Sequence, residues 1–259
     1  MKNFERSLTL SFFKRRAMIL LLILAVILCA LGVGGWFALI RMPGKSYRET
    51  LPSPDQPITA LRDELRRDVE KLAGEIGARN VFHHEQLAAS ANFLEASLTK
   101  AGYKVRRQEY EVNQKTCSNL EVEIRGTKRA DEIVVIGGHY DSVGACPGAN
   151  DNGTGAAAVL ALARAFSGKK TERTLRFVEF VNEEPPYFQT DQMGSVLYAK
   201  RCRERKENVV AMFSLETMGY YSDEEGSQTY PPFLRSLYPT TGTFIAFVGN
   251  TASKQLVTY

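Results

Sequence analysis

Four separate stretches of this chain bring histidine, aspartate or glutamate to points where an element should end. His139-Tyr140-Asp141-Ser142 follows the apolar run EIVVIGG (132–138). Asn182-Glu183-Glu184-Pro185 follows TLRFVEFV (174–181), and Glu216-Thr217 follows 209–215. Between the first two, GANDNGTG (148–155) leads into a stretch rich in Ala and Leu. Each has an ordinary explanation taken singly. His139 alone reads as a hydrogen-bonded histidine at a strand end, and Asp151-Asn152-Gly153 as a turn and helix cap. Glu183-Glu184 reads as solvated charge and Glu216 as a surface carboxylate. Together they are one imidazole and several carboxylates, a donor set suited to zinc and also to manganese or cobalt. His139 and Asp141 lie two apart on an extended chain and face one side, so Asp141 can orient the imidazole. Glu183 and Glu184 are adjacent and point apart, so they need different roles. Such a centre would serve metal-assisted hydrolysis.

The segments that must position these groups have a pattern of their own. Residues 132–138, 174–181 and 209–215 read as buried strands. Helices are expected at 58–76, where Leu61, Leu65, Val69, Leu72 and Ile76 recur at helical spacing, at 85–101 closed by Gly102, at 153–166 and at 193–205. Residues 103–112 and 120–124 alternate like strands with one exposed face, and a last strand is expected at 243–248. Strands alternating with helices imply an α/β fold: a three-layer sandwich around a mixed, mainly parallel central sheet. In open sheets of this kind, sites form beyond the carboxyl ends of the strands, which is where all four stretches fall.

HYDS, GANDNGTG opening a helix, FVNEEPP and SLETMGYY, in that order, resemble the co-catalytic zinc exopeptidase family, which includes bacterial leucyl aminopeptidases, glutamate carboxypeptidase and the transferrin receptor. The resemblance runs from about residue 76 to the end. It implies two zinc ions that activate a water against a terminal peptide bond. His139 would bind the first ion, Asp151 would bridge both, Glu184 would bind the second and Glu216 would complete the first. Glu183 would be the general base, and Asp141 would hold the imidazole of His139. Aspartate is common in the family where this chain has Glu216. The family also places a distal histidine on the second ion, well past the SLET-type motif, whereas the histidines here are His83, His84 and His139. His83 and His84 lie far upstream and read as structural or surface residues; His84-Glu85 is no HExxH site, because Ala88 stands at the second histidine's place. The chain is therefore expected to be incomplete at its C-terminus, one ligand short at the second ion and inactive as it stands. Two alternatives go with the resemblance. One is a glutaminyl cyclase-like enzyme with one zinc, which would not use His139; the other is a non-catalytic peptidase-like ectodomain, which retention of all five metal-site residues opposes.

An appendage precedes this domain. Residues 17–40 carry no charge. As a helix they would reach roughly 36 Å at about 1.5 Å per residue, enough for a hydrocarbon core of about 30 Å. Lys14, Arg15 and Arg16 precede the run, which favours a cytoplasmic basic N-terminus (1–16), a membrane signal-anchor (17–40), a proline-rich linker (41–57) and an extracytoplasmic peptidase domain (58–259). The run is long for a cleaved signal peptide. The net charge of +4 and the absence of a basic stripe with aromatics exclude a nucleic-acid partner on sequence grounds; the partners expected are a peptide substrate and the membrane. Of four cysteines none has CxxC spacing, and a Cys117–Cys146 disulfide is expected to steady the loop between His139 and Asp151. Oligomeric state is not encoded in any pattern here.

Overall fold

The strands that lead to the candidate residues end together on one edge of a single sheet. The computed structural model describes residues 2–37, 52–232, 235, 236 and 238–257. Five strands make the sheet: β1 (Arg106–Val112), β2 (Lys115–Ile124), β3 (Arg129–His139), β4 (Arg173–Phe180) and β5 (Asn208–Ser214), in the order β1-β2-β4-β3-β5. β1 and β2 form a hairpin turned by Asn113 and Gln114, both at positive φ, as two-residue hairpin turns require. β2 is antiparallel to β4, while β4, β3 and β5 run parallel. From β3 the chain crosses to β4 on one side and later to β5 on the other. The carboxyl ends of the three parallel strands therefore flank a topological switch point, the crevice where open α/β sheets bind ligands.

Helices cover both faces. On one face lie α2 (Gln56–Val69), α3 (His84–Lys100) and α4 (Thr154–Phe166). Asp55 caps α2 by accepting from the Ile58 N–H at 2.9 Å, Pro57 suits its first turn, and a wider turn over Glu70–Ile76 extends it to Gly77. α3 buries Leu87, Ala91, Leu94 and Leu98, a stripe at helical spacing. These pack with Val159, Leu160 and Ala163 of α4 against Leu120, Val122 and Phe177. The other face carries α5 (Gly194–Glu204), whose Tyr198 and Cys202 pack on Ile133, Val135, Val178 and Phe180. The result is the three-layer α/β arrangement.

Three expectations are corrected. β2 does not have one exposed face: Cys117–Val122 are all buried. Its polar residues are used within the second layer, where Asn119 donates to the Gly194 carbonyl (2.8 Å) and Glu121 meets Arg106 and Arg201. β5 is an edge strand with Val209, Val210, Met212 and Phe213 exposed, because nothing among the described residues pairs or covers its outer side. Residues 243–248 form no strand. The segment has no ladder partner among the described residues, beyond a single bridge from Gly242 to Ser222, and Ile245, Phe247 and Val248 are exposed.

Leu51–Ile245 is one unit, and Met1–Thr50 groups with Ala246–Tyr259 as a second. In the latter, α1 (Lys2–Gly35) contains a 22-residue stretch, Lys14–Gly35, long and apolar enough to cross a membrane. Residues 38–40 of the expected span and 41–51 of the expected linker lie outside the described residues. A turn at Thr251–Ser253 leads into α6 (Lys254–Val257), capped by Asn250 accepting from the Ser253 N–H at 2.9 Å.

Candidate metal centre

His139 is the last residue of β3 and is buried. Its Nε2 lies 3.2 Å from Asp151 Oδ1, 3.5 Å from Glu216 Oε2 and 3.6 Å from Glu183 Oε2. Its Nδ1 lies 3.4 Å from Asp141 Oδ1, an ion-pair distance without hydrogen-bond geometry. One imidazole thus meets carboxylates from three other segments. Two overlapping groups have donor atoms near enough to share a cation: His139 with Asp151 and Glu216, and His139 with Glu183 and Glu184.

Each carboxylate is placed by its own local structure. Asp141 is buried behind His139, and its two oxygens accept the backbone N–H groups of Glu183 and Glu184, both at 3.1 Å. One side chain therefore lies against the imidazole at ion-pair distance and fixes the turn after β4. That turn starts at Asn182, a buried residue with φ of 60° whose Nδ2 donates to Tyr110 Oη at 3.2 Å. Asp151 sits in the loop that opens α4. Glu216 follows the last ladder contact of β5, where the Leu215 N–H donates to the Gly137 carbonyl at 2.8 Å.

Carboxylates crowd one imidazole here, and their charges shift one another. Burial raises the Glu183 pKa to about 7, with help from Asp141, Glu184 and Glu216, although His139 opposes the shift. Burial and neighbouring carboxylates also raise Asp151 and Glu184. For His139 burial acts downward, but Asp141 and Glu216 outweigh it and carry its pKa up to about 11. Oε1 of Glu184 is buried with no hydrogen-bond partner. A donor set of one imidazole and several carboxylates, with an orphaned acceptor and mutually repelling charges, fits a divalent metal of the zinc type.

All six sequence-derived candidates, His139, Asp141, Asp151, Glu183, Glu184 and Glu216, thus fall at one edge. His83 and His84 do not join them: His83 Nδ1 lies 3.2 Å from Asn80 Oδ1, and His84 Nε2 lies 2.8 Å from the Thr116 carbonyl. The expected Cys117–Cys146 disulfide is absent: Cys117 is buried in the α3 layer, Cys146 is exposed in its loop, and both are free. Sequence reading also missed two supports. Arg79 and Asn80 hold the loop after His139, and Asn152, legible only as a helix cap, makes four hydrogen bonds beneath Glu216.

Residues 119–258, which contain every one of these carboxylates and the histidine, match the family model described as peptidase family M28. The chain belongs to that family. The M28 chain is 32% identical over 206 residues to uncharacterized protein YfbL of Escherichia coli K12, an alignment covering 76% of this chain and 62% of that protein. It is 34% identical over 100 residues to aminopeptidase YwaD of Bacillus subtilis 168, covering 38% of this chain and 21% of that one. The chain therefore spans less than two thirds of the length of these relatives. The solved structure of BSAP, a zinc aminopeptidase from Bacillus subtilis, superposes with a TM-score of 0.56 over 64% of this chain and 71% of that one, at 15% identity, which shows a shared fold.

Proposed function

We propose that this M28 chain carries the active centre of a zinc-dependent aminopeptidase that hydrolyses the first peptide bond of a peptide with a free N-terminus. The observation that carries the reading is His139 Nε2 within 3.2–3.6 Å of Asp151, Glu216 and Glu183, side chains delivered by three different segments. His139, Asp151 and Glu216 would hold one zinc, and Asp151 with Glu184 a second. Bound metal would supply an acidified water and polarise the scissile carbonyl. Glu183, whose Oε2 lies 3.6 Å from His139 Nε2, would take the proton from that water and give it to the departing amine. Asp141 keeps His139 oriented and holds the backbone of Glu183 and Glu184 in place. A single-zinc cyclase would leave His139 without a metal role, although it is the residue around which the carboxylates gather. The likeness to YwaD, named an aminopeptidase, supports the choice of reaction.

The apolar stretch Lys14–Gly35 would anchor the enzyme, with Lys14, Arg15 and Arg16 on the cytoplasmic side and the peptidase unit outside. The test of the reaction is chelation of the purified chain, or of a longer form of it, followed by titration with zinc against aminoacyl anilides and their N-acetylated counterparts. Loss on chelation, recovery with zinc and preference for the free amine are expected. Hydrolysis indifferent to chelator would remove the metal mechanism.

A further inference from the structure

The loop between Ser142 and Asp151 carries a metal-site carboxylate, yet it has almost no packing of its own. Val143, Gly144, Ala145, Cys146 and Pro147 are all exposed. What holds it is polar and comes from far upstream. Arg79 has no exposed surface, and among the described residues no acidic side chain is hydrogen-bonded to its guanidinium. Instead Nε donates to the Tyr140 carbonyl at 2.5 Å, Nη2 to the Gly148 carbonyl at 2.8 Å, and Nη1 to the Pro147 carbonyl and more weakly to that of Gly77 at 3.3 Å. Its backbone joins the same contact: the Arg79 N–H donates to Ser142 Oγ at 3.0 Å, and the Ser142 N–H donates to the Arg79 carbonyl at 2.9 Å. The neighbouring Asn80 donates through Nδ2 to the carbonyls of Ser142 (2.8 Å) and Gly144 (2.7 Å).

Beside the guanidinium the loop folds back on itself closely enough to exclude side chains at two glycines. Gly148 has φ of +57°, and a Cβ there would lie 2.5 Å from Ser142 Cβ, 2.6 Å from the Asp151 carbonyl and 3.4 Å from Arg79 Nη1. A Cβ on Gly153 would lie 2.8 Å from the Gly148 carbonyl and 3.4 Å from Arg79 Nη2. Burial lowers the Arg79 pKa to about 10 against the pull of Asp141 and Asp151, so the group stays charged at neutral pH.

We propose that Arg79 is the positioning residue of the metal centre: by holding the carbonyls of Tyr140, Pro147 and Gly148 in one planar fork, it sets the loop bearing Asp151 against the strand end bearing His139. This rests on the metal reading above for its consequence, though not for its geometry. A lysine offers the charge from a single point and cannot serve three acceptors spread across a fork, so charge alone should not substitute. Since Asp151 would be shared by both ions, its displacement should weaken both together, unlike the loss of a ligand to one.

The test compares wild type, Arg79→Lys and Val122→Ala, a core change remote from the loop that controls for general destabilisation. In the absence of metal, hydrogen exchange is followed at the amides of Ser142, Cys146 and Gly153; zinc affinity is then measured by competition with a chromophoric chelator, alongside Tm. Arg79→Lys should expose these three amides and lower the affinity of both ions about 10- to 100-fold, while Val122→Ala lowers Tm with affinity and loop protection kept. Wild-type exchange in Arg79→Lys, or an affinity loss no greater than that of Val122→Ala, overturns the proposal. Should Arg79→Lys fail to fold, Ser142→Ala, which removes the acceptor for the Arg79 N–H and the donor to the Cys146 carbonyl at 2.8 Å, must show the same pattern in smaller measure. A wild type that binds no zinc would sink the metal reading, and the exchange data would still decide the role of Arg79.

Discussion

Asn152 donates through Nδ2 to Glu216 Oε2 at 3.0 Å, joining the residue after one candidate metal carboxylate to another candidate 64 residues away. The same amide donates to the Leu215 carbonyl at 2.9 Å, and its Oδ1 accepts from the N–H groups of Gly155 (3.0 Å) and Thr217 (3.2 Å). Every hydrogen-bonding position of this buried side chain is used, and α4 is thereby locked to the end of β5. Gly155 permits the approach, for a Cβ there would lie 2.3 Å from Asn152 Oδ1.

Asn152→Ala would leave the buried Gly155 N–H without a partner, uncouple Thr217 and the Leu215 carbonyl, and free Glu216. Loss of about 2 kcal/mol or more in folding stability is expected from urea denaturation. A change within about 0.5 kcal/mol would place Asn152 among ordinary surface positions.

Glu183 and Glu184 should separate by function. Glu183→Gln is expected to lower turnover by about 10²–10⁴-fold with zinc content unchanged, as a proton acceptor would. Glu184→Gln should instead lower the zinc content after dialysis. Equal metal loss in both variants would dismiss the division of roles.

Zinc uptake should depend on pH with a defined sign. Burial and neighbouring carboxylates raise Asp151 and Glu184, while the surrounding carboxylates carry His139 up to about 11. Each must give up its proton to bind metal, so binding releases protons and affinity rises with pH. Calorimetry of the metal-free chain in buffers of different ionisation enthalpy measures that release. No proton release, or an affinity flat from about pH 5 to 8, would contradict the ligand set.

Glu179 offers a stability prediction away from the metal. Both its carboxylate oxygens are buried without hydrogen-bond partners among the described residues, and burial raises its pKa well above the usual value. A raised folded pKa means that the folded state keeps a proton the unfolded state releases above about 4.5, so stability falls as pH rises from there. Glu179→Gln removes that proton dependence. Its advantage over wild type should widen by about 1.4 kcal/mol per pH unit above that point. Parallel pH–stability curves for the two proteins would show that Glu179 has a partner or is solvated.

The thiols provide a simple check of the corrected disulfide. Native chain should react with a water-soluble thiol reagent at Cys146, while Cys117, held up by burial, and Cys202, pushed up to about 11 by burial and Glu207, react only after unfolding. A mass unchanged by reduction accompanies that pattern, and protection of Cys146 would restore the bridge.

The clustering of the candidate residues was legible because His, Asp and Glu at strand ends stand out against apolar runs. The supports were not. Arg79 bonds to backbone carbonyls, which every sequence supplies, so no motif marks its targets. Asn152 carries the signature of a helix cap and gives no sign of its second duty at Glu216. In the fold, β3 and β4 were read well because apolar runs there coincide with burial. Residues 243–248 are as apolar, but a strand requires a neighbour and the sequence cannot show that one is missing. In β2 the alternation was real, yet the polar face was covered by α5 through Glu121 and Arg201, a long-range charge pairing outside any local window.

Arg79 precedes Tyr140 by 61 residues, Pro147 by 68 and Gly148 by 69. It also lies outside 119–258, the stretch matched by the family model. A fragment cut to that stretch would contain all six candidate side chains and lack the guanidinium that bonds to the carbonyls of Tyr140, Pro147 and Gly148. The order of synthesis runs the other way: the guanidinium leaves the ribosome first, and the loop reaches it only after a chain closure that grows more costly with the logarithm of its length. The loop that carries Asp151 is thus held by a contact that no excised motif contains.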